Sequence, residues 1–128
     1  MAISRLARRL RQEADAGLTP SQLSALATIH RRGPLTLGEL AEWERVAPPS
    51  VTRMATNLEQ GGYVERVPDP DDRRVVRVVA TPKAGELVAV ARARKAAWLI
   101  ERLDGLDAHD RSSVLAAVDA LERLVDMP

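Results

Sequence analysis

The chain has 128 residues, a formal net charge of +1 and 45% apolar residues, enough for one domain with its own core. Aromatic residues make up only 2% and Phe is absent, so that core is expected to consist of Leu, Val, Ala, Ile and Met. The lack of cysteine excludes disulfides, thiolate metal sites and thiol redox sensing, and no run of about 18 apolar residues offers a membrane span. The N-terminus has no apolar stretch of the kind a signal peptide carries, so a cytoplasmic location is expected.

Ile3, Leu6 and Leu10 form an apolar stripe flanked by Arg5, Arg8, Arg9 and Arg11, which predicts a short amphipathic helix closed at Asp15-Ala16-Gly17. Thr19-Pro20-Ser21-Gln22 has the form of a capping box with proline at the first helical position. Leu23, Leu26, Ala27 and His30 follow at helical spacing, until Arg31-Arg32-Gly33-Pro34 ends the helix. Thr36-Leu37-Gly38-Glu39 is a second capping box, opening a short helix through about Trp43 with Leu37, Leu40 and Ala41 inward.

After a break at Glu44–Ala47, Pro48-Pro49 start a helix without wasting amide donors. Its inner face is Val51, Met54, Ala55 and Leu58, and Gly61-Gly62 stops it. Tyr63–Val67 and Val75–Val79 read as two strands of a hairpin. Thr81-Pro82 begins a long helix with the stripe Ala84, Leu87, Val88, Ala91 and Trp98, ended by Gly105. Asp107, with Asp110 three residues on, caps one last helix carrying Val114, Leu115, Val118, Leu121, Leu124 and Val125.

No catalytic constellation appears along this order: HExxH, GxSxG, P-loop and dinucleotide-binding glycine patterns are all missing. His30 and His109 stand far apart without ligand-like neighbours; the first reads as a packed histidine, the second as a solvated one. No catalytic residue, metal site or cofactor is therefore expected.

A helix, a short helix, a turn, a third helix and a hairpin make a helix-turn-helix followed by a wing. The fold class is mainly α with a small β-hairpin wing (α+β), flanked by N- and C-terminal helices. The outer face of the 48–60 helix carries Ser50, Thr52, Arg53, Thr56, Asn57 and Gln60, with no carboxylate before Glu59. Such a face suits the major groove of double-stranded DNA, where Arg pairs with guanine, Asn or Gln with adenine, and a Thr methyl meets thymine. Arg73 and Arg74 at the hairpin tip are suited to the minor groove or a phosphate, and Asp72 beside them can hold a guanidinium in one rotamer. A plain turn, with aspartates capping amides and arginines neutralising them, is compatible with that reading. Arg77 reads equally well as a functional or a solvated strand residue.

Between Glu44 and Val79 the basic residues Arg45, Arg53, Arg66, Arg73, Arg74 and Arg77 are matched by Glu44, Glu59, Glu65, Asp69, Asp71 and Asp72. A DNA-binding footprint must then come from segregation of charge onto one face.

The segments "LTPSQLSALATI" (Leu18–Ile29), "LTLGELAEW" (Leu35–Trp43), "PPSVTRMATNLEQGGYVER" (Pro48–Arg66), "DPDDRRVVRVVAT" (Asp69–Thr81) and "PKAGE" (Pro82–Glu86) carry a resemblance to the MarR family of bacterial transcriptional regulators. It covers about residues 3–125. The resemblance implies a homodimer of winged helices on a pseudo-palindromic operator, most often a repressor, nucleoid-associated when bound. It also implies release by a small phenolic or other amphipathic molecule. One MarR-like domain over 1–128 is expected, with a winged lobe at about 19–80 and a helical dimerisation lobe from 1–16 and 81–126.

Carried over by position, the recognition-helix residues are Pro49, Ser50, Thr52, Arg53 and Asn57, to which the outer face adds Thr56; the wing residues are Asp72, Arg73 and Arg74. Leu6, Leu10, Leu115, Val118, Leu121 and Leu124 are the candidate dimer contacts, and His30, Trp43 and Trp98 the candidate lining of an effector pocket. The chain departs from the family in carrying Ala47 where many members have Ser or Thr, Arg45 where many have Gly, and Asn57 where some have Arg. The rival reading is a winged helix that binds another protein, or DNA without sequence preference, and lacks ligand control.

Overall fold

The structure, a computed structural model, describes residues 1–14 and 16–127. Helix α1 spans Ala2–Glu13 and is capped at Ala14. Of its predicted closing residues, Asp15 lies outside the described residues, and Gly17 takes φ 77°. Both predicted capping boxes form. In α2 (Pro20–Arg32) the Gln22 amide donates to Thr19 Oγ1 at 3.2 Å, and the Thr19 amide donates to Gln22 Oε1 at 3.0 Å. In α3 (Leu37–Glu44) the corresponding bonds join Glu39 and Thr36 at 3.1 and 2.8 Å. Each box satisfies two orphan donors of its helix start.

Helix α4 spans Pro48–Gln60, and the hairpin strands are β2 (Val64–Pro68) and β3 (Val76–Ala80). Both strands begin one residue later than the sequence suggests. The Tyr63 amide is used by Leu58 O, closing α4, and the Val75 amide by Asp72 O, closing the wing turn. A two-residue strand, β1 (Leu35–Thr36), was not predicted. It pairs antiparallel with β3, giving the sheet order β1-β3-β2 with Leu35 opposite Val78 and Thr36 opposite Arg77. Two residues carry no detectable alternation, which is why no sequence pattern shows it.

Helix α5 (Pro82–Asp104) is 23 residues long, about 35 Å at the helical rise. The expected single last helix is instead two, α6 (Ala108–Ala116) and α7 (Val118–Asp126). At the junction the Ala117 amide is shared between the carbonyls of Ser113 and Val114, each at 3.2 Å. One turn is thereby tightened, and no Gly or Pro marks it in the sequence.

The core is aliphatic and sits between α2, α3, α4, the sheet and the start of α5. Its members are Ala25, Leu26, Ile29, Leu35, Leu40, Ala41, Val51, Ala55, Leu58, Val64, Val78 and Ala84. The inward face of α2 corrects the predicted stripe: Ala25, Thr28 and Ile29 are buried, whereas Ala27 is half-buried and His30 exposed. A smaller cluster of Ala14, Leu23 and Ala91 joins the end of α1 to α2 and α5. No described residue of α1, α6 or α7 is buried, so the winged core is complete without them.

Candidate nucleic-acid interface

Helix α4 starts on Ala47, in extended conformation and without a side-chain cap. Pro48 and Pro49 have no amide hydrogen, and the Ser50 amide donates to Ala47 O at 3.0 Å, so little at this terminus is left to cap. Val51, Ala55 and Leu58 anchor the helix in the core. That fixes the outward side: Pro49, Ser50, Thr52, Arg53, Asn57 and Gln60 are exposed and Thr56 is half-buried.

The outward groups differ in what they have left to offer. Among the described residues the side chains of Arg53 and Asn57 make no hydrogen bond within the chain, so all their polar groups are available. Thr52 Oγ1 donates to Pro48 O at 3.1 Å and Thr56 Oγ1 to Thr52 O at 2.9 Å. Their hydroxyl protons are used, which leaves each residue its methyl and its acceptor capacity. Thr56 Oγ1 also accepts from Arg66 Nη2 at 3.3 Å, while Arg66 Nε donates to Glu59 Oε2 at 3.0 Å. Arg66 of β2 thus fastens the wing to the helix and neutralises the carboxylate closest to its outer face.

The wing turn is organised by Asp69, a buried residue. Its Oδ1 accepts from the amides of Asp71 at 2.8 Å and Asp72 at 3.1 Å, and its Oδ2 from Arg77 Nε. Asp72 in turn holds Arg74: its two carboxylate oxygens accept from Arg74 Nε and Nη2, each at 3.0 Å, and Oδ1 accepts from the Arg74 amide at 3.1 Å. The Arg74 side chain is nonetheless 91% exposed, a fork fixed in orientation and presented outward. Arg73 is exposed and, among the described residues, has no ion-pair partner. The Arg77 side chain holds the Asp69 carboxyl below the usual carboxylate range, with help from the two amides. Arg74 does the same for Asp72, and both arginines are shifted upward by these bonds.

Arg66, Arg77, Glu39 and Arg111 were missed as structural ties. Arg111 donates to the carbonyls of Leu103 at 3.0 Å and Asp104 at 3.1 Å, capping α5 from α6. The D-P-D-D run carries a local signal, since Asp before Pro is good turn chemistry, and Glu39 carries one as the end of its capping box; Arg66, Arg77 and Arg111 reach partners seven or more residues away.

The remaining candidates fall in separate places. Leu6, Leu115, Val118, Leu121 and Leu124 are exposed and Leu10 is half-buried. His30 lines a groove of about 910 Å³ between α2 and α5, with Leu23, Arg31, Val88, Arg92 and Lys95. Trp43 and Trp98 are not part of it. Trp43 is exposed, with the Arg32 guanidinium 3.6 Å from its ring centre, and Trp98 is half-buried with Arg102 at 4.4 Å. Among the described residues no cluster of His, Asp and Glu could hold a metal ion, and no helix is long and apolar enough to cross a membrane.

The MarR family model matches residues 18–76. An uncharacterised HTH-type transcriptional regulator of Mycobacterium leprae is 42% identical over 127 residues, covering 98% of this chain and 89% of the relative. The crystal structure of a proposed transcriptional regulator from Pseudomonas aeruginosa is 32% identical, with a TM-score of 0.85 over 99% of this chain and 90% of that one. Streptococcus pneumoniae FabT, solved in complex with DNA, shares the fold at 22% identity and a TM-score of 0.70, over 85% of this chain and 76% of that one. The chain belongs to the MarR family of winged helix-turn-helix, DNA-binding transcriptional regulators, and is not an enzyme.

Proposed function

We propose that two copies of this chain bind a pseudo-palindromic operator, with α4 in the major groove and the wing in the adjacent minor groove, and repress the gene downstream. Arg53 and Asn57 read base edges, Thr52 and Thr56 offer methyls and acceptors, and Pro49 and Ser50 approach the backbone at the helix start. Asp72 holds Arg74 for the minor groove, beside Arg73. The single observation that carries this reading is the Arg74 fork, 91% exposed and clamped by Asp72, in a wing that follows an α4 outer face whose nearest carboxylate, Glu59, is paired with Arg66. A surface that merely keeps the protein in solution has no need of such a clamp.

Dimerisation is supported by the apolar side chains that α1, α6 and α7 leave exposed, among them Leu6, Leu115, Val118, Leu121 and Leu124. For an effector, the groove between α2 and α5 offers apolar walls with His30, Arg31, Arg92 and Lys95, and no carboxylate among its lining residues. That composition suits a small anionic amphipath, such as a phenol or an aromatic acid, which would release the DNA. The regulator works in the compartment that holds the DNA, the cytoplasm.

Selection of binding sites from a random pool of duplexes, followed by footprinting, tests the reading. The expected result is a palindrome with half-sites about one helical turn apart, roughly 34–36 Å. Recovery of duplexes with no common sequence, bound diffusely and lost on raising salt, would refute sequence-specific recognition.

A further inference from the structure

We infer that Arg77 is a positioning residue for DNA binding: it fastens the base of the wing to the N-terminus of α3 and so sets where Arg74 points. The inference rests on the proposed role of Arg74 in DNA contact. Arg77 lies on β3, the central strand, opposite Thr36 on one side and Val67 on the other. Its side chain divides its donors between two carboxylates. Nη1 donates to Glu39 Oε2 at 3.0 Å and Nε to Asp69 Oδ2. The same Glu39 oxygen accepts from the Thr36 amide at 2.8 Å, closing the capping box of α3. On the other side Asp69 gathers the amides of Asp71 and Asp72, and Asp72 grips Arg74.

A continuous chain of charge-assisted hydrogen bonds therefore runs from the start of α3 through Arg77 and Asp69 to the Arg74 fork. The last link, Asp72 to Arg74, is bidentate and fixes direction as well as distance, while Arg77 holds Glu39 and Asp69 by one donor each from a single planar guanidinium. A hairpin joined to its domain only by strand pairing twists and sways about its base. Arg77 restrains that freedom at the base of the wing, beside the Arg66 tie to α4, so less ordering remains to be done when the wing meets DNA. Arg77 is 26% exposed, and its Nε and Nη1 are given to Asp69 and Glu39, so its guanidinium acts through the wing.

The test is a double-mutant cycle on full-length protein, read by fluorescence anisotropy on the duplex obtained by selection, at several salt concentrations. Arg74→Ala is expected to weaken binding about tenfold and to lower the salt slope by about 0.9 per wing. Arg77→Met, which keeps the apolar stem, is expected to weaken binding about fivefold in the wild-type background and less than twofold in the Arg74→Ala background. Glu39→Gln provides a second route: glutamine still completes the capping box but loses the charge that holds Arg77, and the same loss of effect beside Arg74→Ala is expected. It answers the question if Arg77→Met does not fold. Equal losses in both backgrounds, or no loss beside an effective Arg74→Ala, would overturn the positioning role while leaving the wing reading intact. An Arg74→Ala protein that binds as wild type would sink the wing reading, and this inference with it.

Discussion

Arg45 has φ 53° and ψ 46° at the C-cap of α3, the only non-glycine positive φ among the described residues. A residue with a β-carbon pays about 1–2 kcal/mol for the left-handed conformation. Glycine escapes that clash but adds about 0.4–1 kcal/mol of freedom to the unfolded chain. Arg45→Gly should then stabilise the fold by a net of about 0.5–1 kcal/mol. With an unfolding entropy of about 2.1 cal/mol/K per residue, 128 residues convert this into a rise in Tm of about 2–4 °C. The Arg45 side chain is exposed and, among the described residues, unpaired, so its loss removes no hydrogen bond or ion pair. Arg45→Ala is the control, because alanine keeps the β-carbon and with it the strain. Melts of the three proteins at one concentration decide the matter, since a dimer's Tm depends on concentration. Equal Tm for the Gly and Ala variants would refute the argument that strain is stored in this turn. A cation kept in a strained turn just before α4 also points to a use. The stabilised Gly variant is expected to bind the selected duplex more weakly, with a shallower salt dependence.

Arg53→Ala should cost about 1–3 kcal/mol of DNA affinity and relax one base position in repeated site selection; an unchanged selected sequence would remove α4 from the major groove. Leu121→Glu with Leu124→Glu should give a monomer whose winged core still melts cooperatively, and sedimentation at several concentrations checks it. Ala47→Ser should change stability by less than about 0.5 kcal/mol, below the usual cap effect, because Pro48 and Pro49 have no amides to satisfy and the Ser50 amide already bonds Ala47 O. The carboxyls of Asp69 and Asp72 titrate lower in the folded chain than in the unfolded one, so the unfolded state takes up protons first. Stability is therefore full above the usual carboxylate value of about 3.9 and falls as pH drops through the lowered folded values. Asp69→Asn should flatten that decline in urea unfolding between about pH 2 and 5, and an equally steep decline would refute it.

What could be read from the residues depended on the range over which the information acts. Both capping boxes, the proline start of α4, the glycine stops and the long α5 are written within three or four neighbouring residues, and all form as expected. The face of α2 was misread because that helix is covered from two sides, by the sheet and α3–α4 and by α5, so its buried arc is wider than one stripe and lies nearer Ala25 and Ile29 than His30. Strand β1 and the break at Ala117 have no composition of their own; pairing with β3 creates the first, and a shared amide the second. Of the candidate effector residues, His30 lines the α2–α5 groove, whereas Trp43 and Trp98 lie outside it, each against an arginine.

The balanced charge between Glu44 and Val79 receives a physical answer from the same ties. Glu59 is paired with Arg66, Asp72 with Arg74 and Asp69 with Arg77, while Glu44 accepts from Ser24 at 2.8 Å and Thr28 at 2.6 Å. Four of the six acids are thus engaged in fixing side chains and turns, and their negative charge is drawn toward internal donors. Arg45, Arg53 and Arg73 have no such partner among the described residues. The three acids without a cationic partner, Glu44, Glu65 and Asp71, still equal Arg45, Arg53 and Arg73 in number, so a positive contact surface has to come from where these six groups sit and not from an excess of charge. This arrangement also predicts its own signature in salt. Few cations are free to displace counterions, at about 0.9 per phosphate met, so each chain contributes a shallow slope and only a pair of chains on one site reaches a steep one.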